Sequence, residues 1–280
     1  MTATRLIVTA ATREWAHIAA STATGYAASV IGCDAEAGIE RELGPEQTPD
    51  GRPGFATLFH AFSRDALQKA VVNRVGQCIL TCATTACFNG LPIVPGKGLK
   101  IGGNLRFFGD GWQMSKLLDG RRYWRIPVMD GEFLCEDLFG STKGVAGGNF
   151  LILGDSQASA LRAAEAAMAS IRTVPDVVAP FPGGIVRSGS KVGSRYKKLR
   201  ASTNHAYCPT LRGVVESALP QGVNAVYEIV IDGLTLESVQ EAMRAGIRAA
   251  CQPGVLGISA GNYGGSLGPH HIRLYDVLAV

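Results

Sequence analysis

Charge is scarce in this chain. Only 18 % of its 280 residues are Asp, Glu, Lys or Arg, and the net charge is +4. That balance is too weak to mark a nucleic-acid binder by itself. Long apolar runs are missing too. No stretch approaches the length of a membrane-crossing helix, roughly 20 residues, and the opening Met1–Val8 lacks the apolar core and cleavage site of a secretory leader. The seven cysteines include no Cys-x-x-Cys pair, and the spacing of Cys78, Cys82 and Cys87 is wrong for a zinc knuckle. Their odd number, in a chain too long to need disulfide staples, reads as reduced and mostly buried thiols of a cytosolic protein. Apolar residues make up 46 % of the chain, so a sizeable core can form and global disorder is excluded.

Familiar nucleotide motifs are absent. No Gly-x-Gly-x-x-Gly or P-loop string follows any strand-like run, which excludes the usual Rossmann and P-loop enzymes. The five histidines are scattered and offer no metal spacing. His17 falls in a helical run of small residues, His60 in a strand, His205 in a polar loop, and His270-His271 beside Pro269. None stands next to a serine or cysteine in a recognisable nucleophile arrangement.

Glycine is abundant, at 35 residues, and collects in knots such as Gly102-Gly103, Gly147-Gly148, Gly183-Gly184 and Gly264-Gly265. Such knots serve tight turns or let a backbone approach a ligand. Between them lies an internal repeat. Leu6–Ala10 reads as a strand, about Glu14–Ala28 as a helix, and Ser29–Cys33 and Phe55–Phe62 as strands. Ser63 caps a helix reaching about Val75, and Gln77–Thr81 reads as a fourth strand. The second half repeats the order. Asn149–Leu153 is a strand and Ser156 caps a helix to Ile171. Gly184–Arg187 and Ala225–Ile231 are strands, Thr235 caps the helix Leu236–Ala250, and Gly257–Ala260 closes the unit. His271–Val277 reads as one further strand. Each half spells β-α-β-β-α-β, the split unit of ferredoxin-like lobes. The expected fold is therefore α+β: two pseudo-repeated ferredoxin-like lobes, 1–145 and 146–280, with a β-hairpin arm inserted at about 97–135.

Two stretches carry chemistry. Pro182–Lys191 combines glycines, the hydroxyls of Ser188 and Ser190, and the cations Arg187 and Lys191. It reads equally as a cradle for an anion or as a structural turn with surface cations. The basic run Arg195–Arg200, with Arg187 and Lys191 just before it, fits a nucleic-acid stripe, a pocket for an acidic coenzyme tail, or a solvated face. Glu228 interrupts the apolar strand Ala225–Ile231. If it points inward it must be paired, line a pocket or hold a proton, which suits a general acid. If it points outward it is an ordinary surface carboxylate.

Longer blocks carry a resemblance. They include Ala35–Glu40, Thr48–Gly54, Arg74–Cys78, Arg106–Gly111, Gly147–Phe150, Pro180–Val186 and Ile258–Gly265. Together they resemble the formylmethanofuran:tetrahydromethanopterin formyltransferases over nearly the whole chain. Arg121–Phe133 is similar to the D subunit of bacterial formyltransferase/hydrolase complexes. The resemblance implies a cytoplasmic acyltransferase of one-carbon metabolism, as in formaldehyde oxidation and methylotrophy. It would move a formyl group between methanofuran and tetrahydromethanopterin, or bacterial analogues, through a tetrahedral intermediate. The two coenzymes are substrates, and no metal or tightly bound cofactor is implied. The implied partners are further copies, as a homotetramer, or the other subunits of such a complex, with neither nucleic acid nor membrane. A non-catalytic structural subunit is the alternative. Glu228 matches the family's glutamate at the transfer site. For the coenzymes themselves the expectation is a glycine-lined cleft at Gly147, Gly148 and Asn149 with Asn262 and Tyr263, admitting backbone donors and a flat ring, and Arg187, Ser190 and Lys191 meeting an acidic coenzyme tail. Relatives carry a further segment ahead of the position of Met1, and more often an acid at His205.

Overall fold

The computed structural model describes residues 1–261 and 270–279. The chain divides into two compact units, Met1–Gly144 and Val145–Val280. The first contains β1 (Thr2–Thr9), α1 (Arg13–Thr24), β2 (Glu36–Leu43), β3 (Gly54–Ala61), α2 (Arg64–Arg74) and β4 (Ala86–Asn89). These strands lie in the order β2-β3-β1-β4, all antiparallel to their neighbours. Period-two alternation decides which side faces the helices. Leu6 and Val8 of β1 and Phe59 of β3 pack with Ala19, Ala23, Leu67 and Val71 of the two helices. Thr12 and Ser63 cap those helices, accepting from the amides of Trp15 and Ala66, each cap contributing about 1 kcal/mol.

Two strands sit elsewhere than the sequence pattern predicts. Ser29–Cys33 forms turns, not a strand, and β2 begins at Glu36. The turn is held from outside: Arg74 donates to the carbonyls of Ala23, Gly25 and Tyr26 and to Asp34 Oδ1 at 2.6 Å. Gln77–Thr81 also is not a strand. The chain leaves α2 through a π-helical turn, Val75–Ile79, and the fourth strand is β4.

The arm is a meander of β5 (Met114–Leu118), β6 (Arg121–Val128) and β7 (Gly131–Glu136). Asp119 and Gly120, at φ 48° and 75°, make the two-residue turn between β5 and β6. Rather than standing apart, the arm extends the sheet. β7 runs parallel to β4 through two register pairs, Ala86↔Leu134 and Cys87↔Cys135. Burial pushes the Cys135 thiol well up from its ordinary range, and its hydrogen bond with Cys87 adds to that. The face of this sheet turned away from the helices holds buried charge. Arg5 clasps Glu40 through two bonds of 2.6 and 2.8 Å, and Arg121 clasps Glu136.

The second unit contains β8 (Val145–Gly154), α3 (Gln157–Ile171) and β9 (Val177–Val178). A small hairpin follows, β10 (Lys191–Val192) with β11 (Ala201–Ser202). Then come β12 (Ala225–Gly233), α4 (Leu236–Ala250), β13 (Val255–Ser259) and α5 (Leu274–Leu278). The sheet order is β9-β12-β8-β13, the counterpart of the order in the first unit. Phe150 and Ile152 of β8 and Ile229 and Ile231 of β12 bury against Ala163, Ala167, Val239 and Met243 of the helices. Capping boxes at Ser156 and Thr235 start both helices. Two expectations give way here. Gly184–Arg187 is not a regular strand but a single turn followed by one bridge, Val186 to Glu228. The stretch His271–Val277 ends in the helix α5, not a strand.

Candidate functional site

Because alternate strand residues face opposite ways, the helix-free face of the second sheet is set by the register. Glu228 pairs with Leu151, and Leu151 pairs with Ser259, so these three form a row across β12, β8 and β13. Asn149 pairs with Val230 on the same face. Leu151, Leu153, Val223 and Val226 make a small apolar cluster there, closed by Tyr207 and Leu219. Glu228 thus points into the protein, with only 5 % of its surface exposed. Its backbone is locked as well. Val186 N–H donates to Glu228 O at 2.7 Å, and Glu228 N–H donates to Val186 O at 3.0 Å.

A cavity of about 780 Å³ opens beside this row. Val186 and Val226 form its floor, and Phe181, Arg187, Ser188, Thr203, Tyr207 and Cys208 are among its walls. Val226 precedes Glu228 by one step on the same face, so their Cα atoms lie about 7 Å apart along the strand. Arg187, exposed, stands at the cavity. Ser190 and Lys191 do not line it. They are half-buried at and before β10, where Lys191 pairs with Ser202.

The glycine pair of β8 divides its work. Gly147 has φ 86° and sits in a bulge, where Ala146 and Gly147 face the single residue Asp232. Its N–H donates to Asp232 Oδ1 at 3.0 Å, and a Cβ there would meet open space. Gly148 faces the other way, and its Cβ would lie 2.4 Å from Val239 Cγ1 on α4. Packing alone accounts for that glycine. The variant Gly148→Ala is therefore expected to lose about 1–3 kcal/mol by overpacking, read as a lower denaturant midpoint with the fold retained.

Asn149 spends its amide on the backbone of Gly261. Gly261 N–H donates to Oδ1 at 2.9 Å and Nδ2 donates to Gly261 O at 3.3 Å. The side chain continues the β8–β13 ladder past Ser259. Asn262 and Tyr263, the remaining two expected coenzyme residues, lie outside the described residues. Gly257–Gly261 spells Gly-x-Ser-x-Gly around Ser259. It is no nucleophile elbow, because Ser259 is a ladder residue of β13 instead of standing at a sharp turn between strand and helix. Tyr207, also at the cavity, carries no sequence signal, for it lies in an irregular stretch with no pattern of its own. Among the described residues no group of three or more His, Cys, Asp or Glu could hold a metal ion. No helix among them is long and apolar enough to cross a membrane.

The second unit thus sets a buried carboxyl near a polar-walled cavity on an α+β scaffold of ferredoxin-like topology, a fold that serves many reactions. The family comparison says which. A model described as formylmethanofuran-tetrahydromethanopterin formyltransferase matches residues 1–128, and one described as the proximal lobe of the same protein matches residues 131–277. A formyltransferase of this description from Methylococcus capsulatus is 56 % identical, with 100 % of this chain and 94 % of that protein covered. A solved structure of the formyltransferase/hydrolase complex from Methylorubrum extorquens with methylofuran includes a chain 53 % identical to this one. It superposes with a TM-score of 0.95 over 99 % of this chain and 92 % of the other. The formyltransferase structure from Methanosarcina barkeri gives 0.93 at 49 % identity, over 99 % and 94 %. The chain belongs to the formylmethanofuran–tetrahydromethanopterin formyltransferase family, and it is a formyltransferase of one-carbon metabolism.

Proposed function

We propose that this formyltransferase passes the formyl group between methanofuran and tetrahydromethanopterin, or their bacterial analogues, at the cavity beside Glu228. The burial of Glu228 on the helix-free face carries this reading. The acceptor amine attacks the formamide carbon, and the carbonyl electron pair moves onto oxygen. The tetrahedral intermediate collapses as the bond to the donor nitrogen breaks and that nitrogen takes a proton. Holding two amines on one carbon is first a matter of proximity. Glu228 then supplies the proton to the leaving nitrogen, with the attacking nitrogen returning one.

The coenzymes bind as substrates without a resident cofactor. Arg187 at the cavity, with Ser190 and Lys191 just beyond, receives the carboxylates of an acidic coenzyme tail. Gly147 and Asn149 border the face from the other side, and Asn262 and Tyr263 follow Gly261 in sequence. Gly148 contributes through backbone alone, since its Cβ direction belongs to α4.

The chain works in the cytoplasm as a homo-oligomer, a tetramer by the family's example, or beside the other subunits of a complex like the one solved from Methylorubrum extorquens. Exposed apolar side chains in and around the arm support association. Phe107, Phe108, Trp112, Met114 and Leu117 all stand more than half exposed, the kind of patch that marks an interface.

The test is formyl exchange by the purified chain, with its sedimentation mass measured in the same buffer. Formylated pterin accumulating at catalytic enzyme concentration, from an oligomer, is the expected result. Turnover only after partner subunits are added would replace the self-sufficient enzyme with an obligate complex subunit.

A further inference from the structure

The cavity has several polar walls, and one of them also touches the row containing Glu228. Arg187, Ser188, Thr203 and Thr210 are exposed, and Thr203 Oγ1 already donates to Ser188 O at 3.3 Å. Cys208 lies within 3.5 Å of Asn204 O and of Thr203 Oγ1. Tyr207 differs. Its ring packs on the Leu151, Leu153 and Val223 cluster, and its hydroxyl sits 3.5 Å from Ser259 Oγ. Ser259 belongs to the row Glu228–Leu151–Ser259. One side chain therefore joins the cavity wall to the reacting face.

We propose that the Tyr207 hydroxyl, oriented by Ser259, is a second group acting in formyl transfer: it donates a hydrogen bond to the formyl oxygen as that oxygen gains charge. The inference rests on the placement of the reaction at the cavity beside Glu228. A phenol carries one donor and also accepts. When Ser259 donates to the phenol oxygen, the phenolic O–H is left to the substrate. As the acceptor amine adds to carbon, the carbonyl pair becomes an alkoxide, and a donor fixed beforehand stabilises it at no cost of reorganisation. The proton stays on Tyr207 throughout, so the proton balance remains with Glu228 and the two amines. The irregular chain around Tyr207 suits the task. His205–Tyr207 is a single turn whose carbonyl at Ala206 accepts from Ala218 N–H at 2.9 Å, which ties the turn to the irregular stretch ahead of β12.

The test compares Tyr207→Phe, Ser259→Ala and Glu228→Gln in steady-state formyl exchange, with both coenzymes varied. Phenylalanine keeps the ring and its packing, so thermal melting should match the parent. Tyr207→Phe is expected to lower kcat about 100-fold, as removal of an oxyanion donor does elsewhere, with KM for either coenzyme changed less than about threefold. Ser259→Ala, which frees the phenol to turn, should fall between the two. A Tyr207→Phe variant with kcat within about threefold of the parent overturns the inference, and so does a loss confined to KM, which would make Tyr207 a binding wall only. The two readings separate cleanly. If Glu228→Gln is impaired and Tyr207→Phe is not, the inference fails while the role of Glu228 stands. If Tyr207→Phe alone is impaired, the donor stands and Glu228 loses its role.

Discussion

Replacing Glu228 by glutamine should cut formyl transfer by about 100-fold or more, the range spanned by loss of a general acid or base. Glutamine keeps the length and hydrogen-bonding outline of the side chain but cannot deliver or take up a proton. The strand around it should be unaffected, because Glu228 is held through its backbone by Leu151 on one side and Val186 on the other. Melting temperature and KM are therefore expected to stay near the parent while kcat falls. Full turnover by Glu228→Gln would remove proton transfer from its duties and leave at most a hydrogen bond.

The largest structural loss is expected at Arg5. Its guanidinium meets Glu40 by two parallel bonds, and the two side chains are only 11 % and 1 % exposed. Arg5 lies on β1 and Glu40 on β2, with β3 between them, so the pair ties an edge strand to the middle of the sheet. Removing one half of a buried ion pair costs about 3–5 kcal/mol, because the other half stays desolvated. Arg5→Met keeps the aliphatic stem that Gly90 packs against and deletes the guanidinium with its bonds to Glu40. Urea unfolding should show that loss in the first unit. The double variant Arg5→Met, Glu40→Leu should recover most of it, since apolar replacements of buried pairs are often neutral. Equal losses in single and double variants would locate the cost in packing instead of charge.

Sequence and structure agree where local chemistry decides. Ser63, Ser156 and Thr235 announce their helices because a hydroxyl before an apolar rhythm caps the first amides. The misplaced strands fail for a tertiary reason. β2 carries Glu36, Glu40, Arg41 and Glu42, which hides its strand character, while the apolar Val30 and Ile31 belong to turns held by the distant Arg74. Within the site, Glu228 was visible as an acid in an apolar strand, but which way it pointed followed only from the resemblance, and then from the register. Gly147 and Gly148 are indistinguishable in sequence, yet one relaxes a bulge and the other makes room for Val239. Tyr207 was illegible because what marks it is contact with Ser259, far away along the chain.

The two-pair parallel ladder between β4 and β7 also bears on the order of assembly. The arm's own hairpins close over short loops, whereas Cys87 and Cys135 must find each other across the whole intervening chain. Loop-closure entropy delays such contacts. The meander is therefore expected to zip first as an independent foldon and to dock on β4 late. In native-state hydrogen exchange its amides would then open at lower free energy than those of β1 and β3, which are paired on both edges.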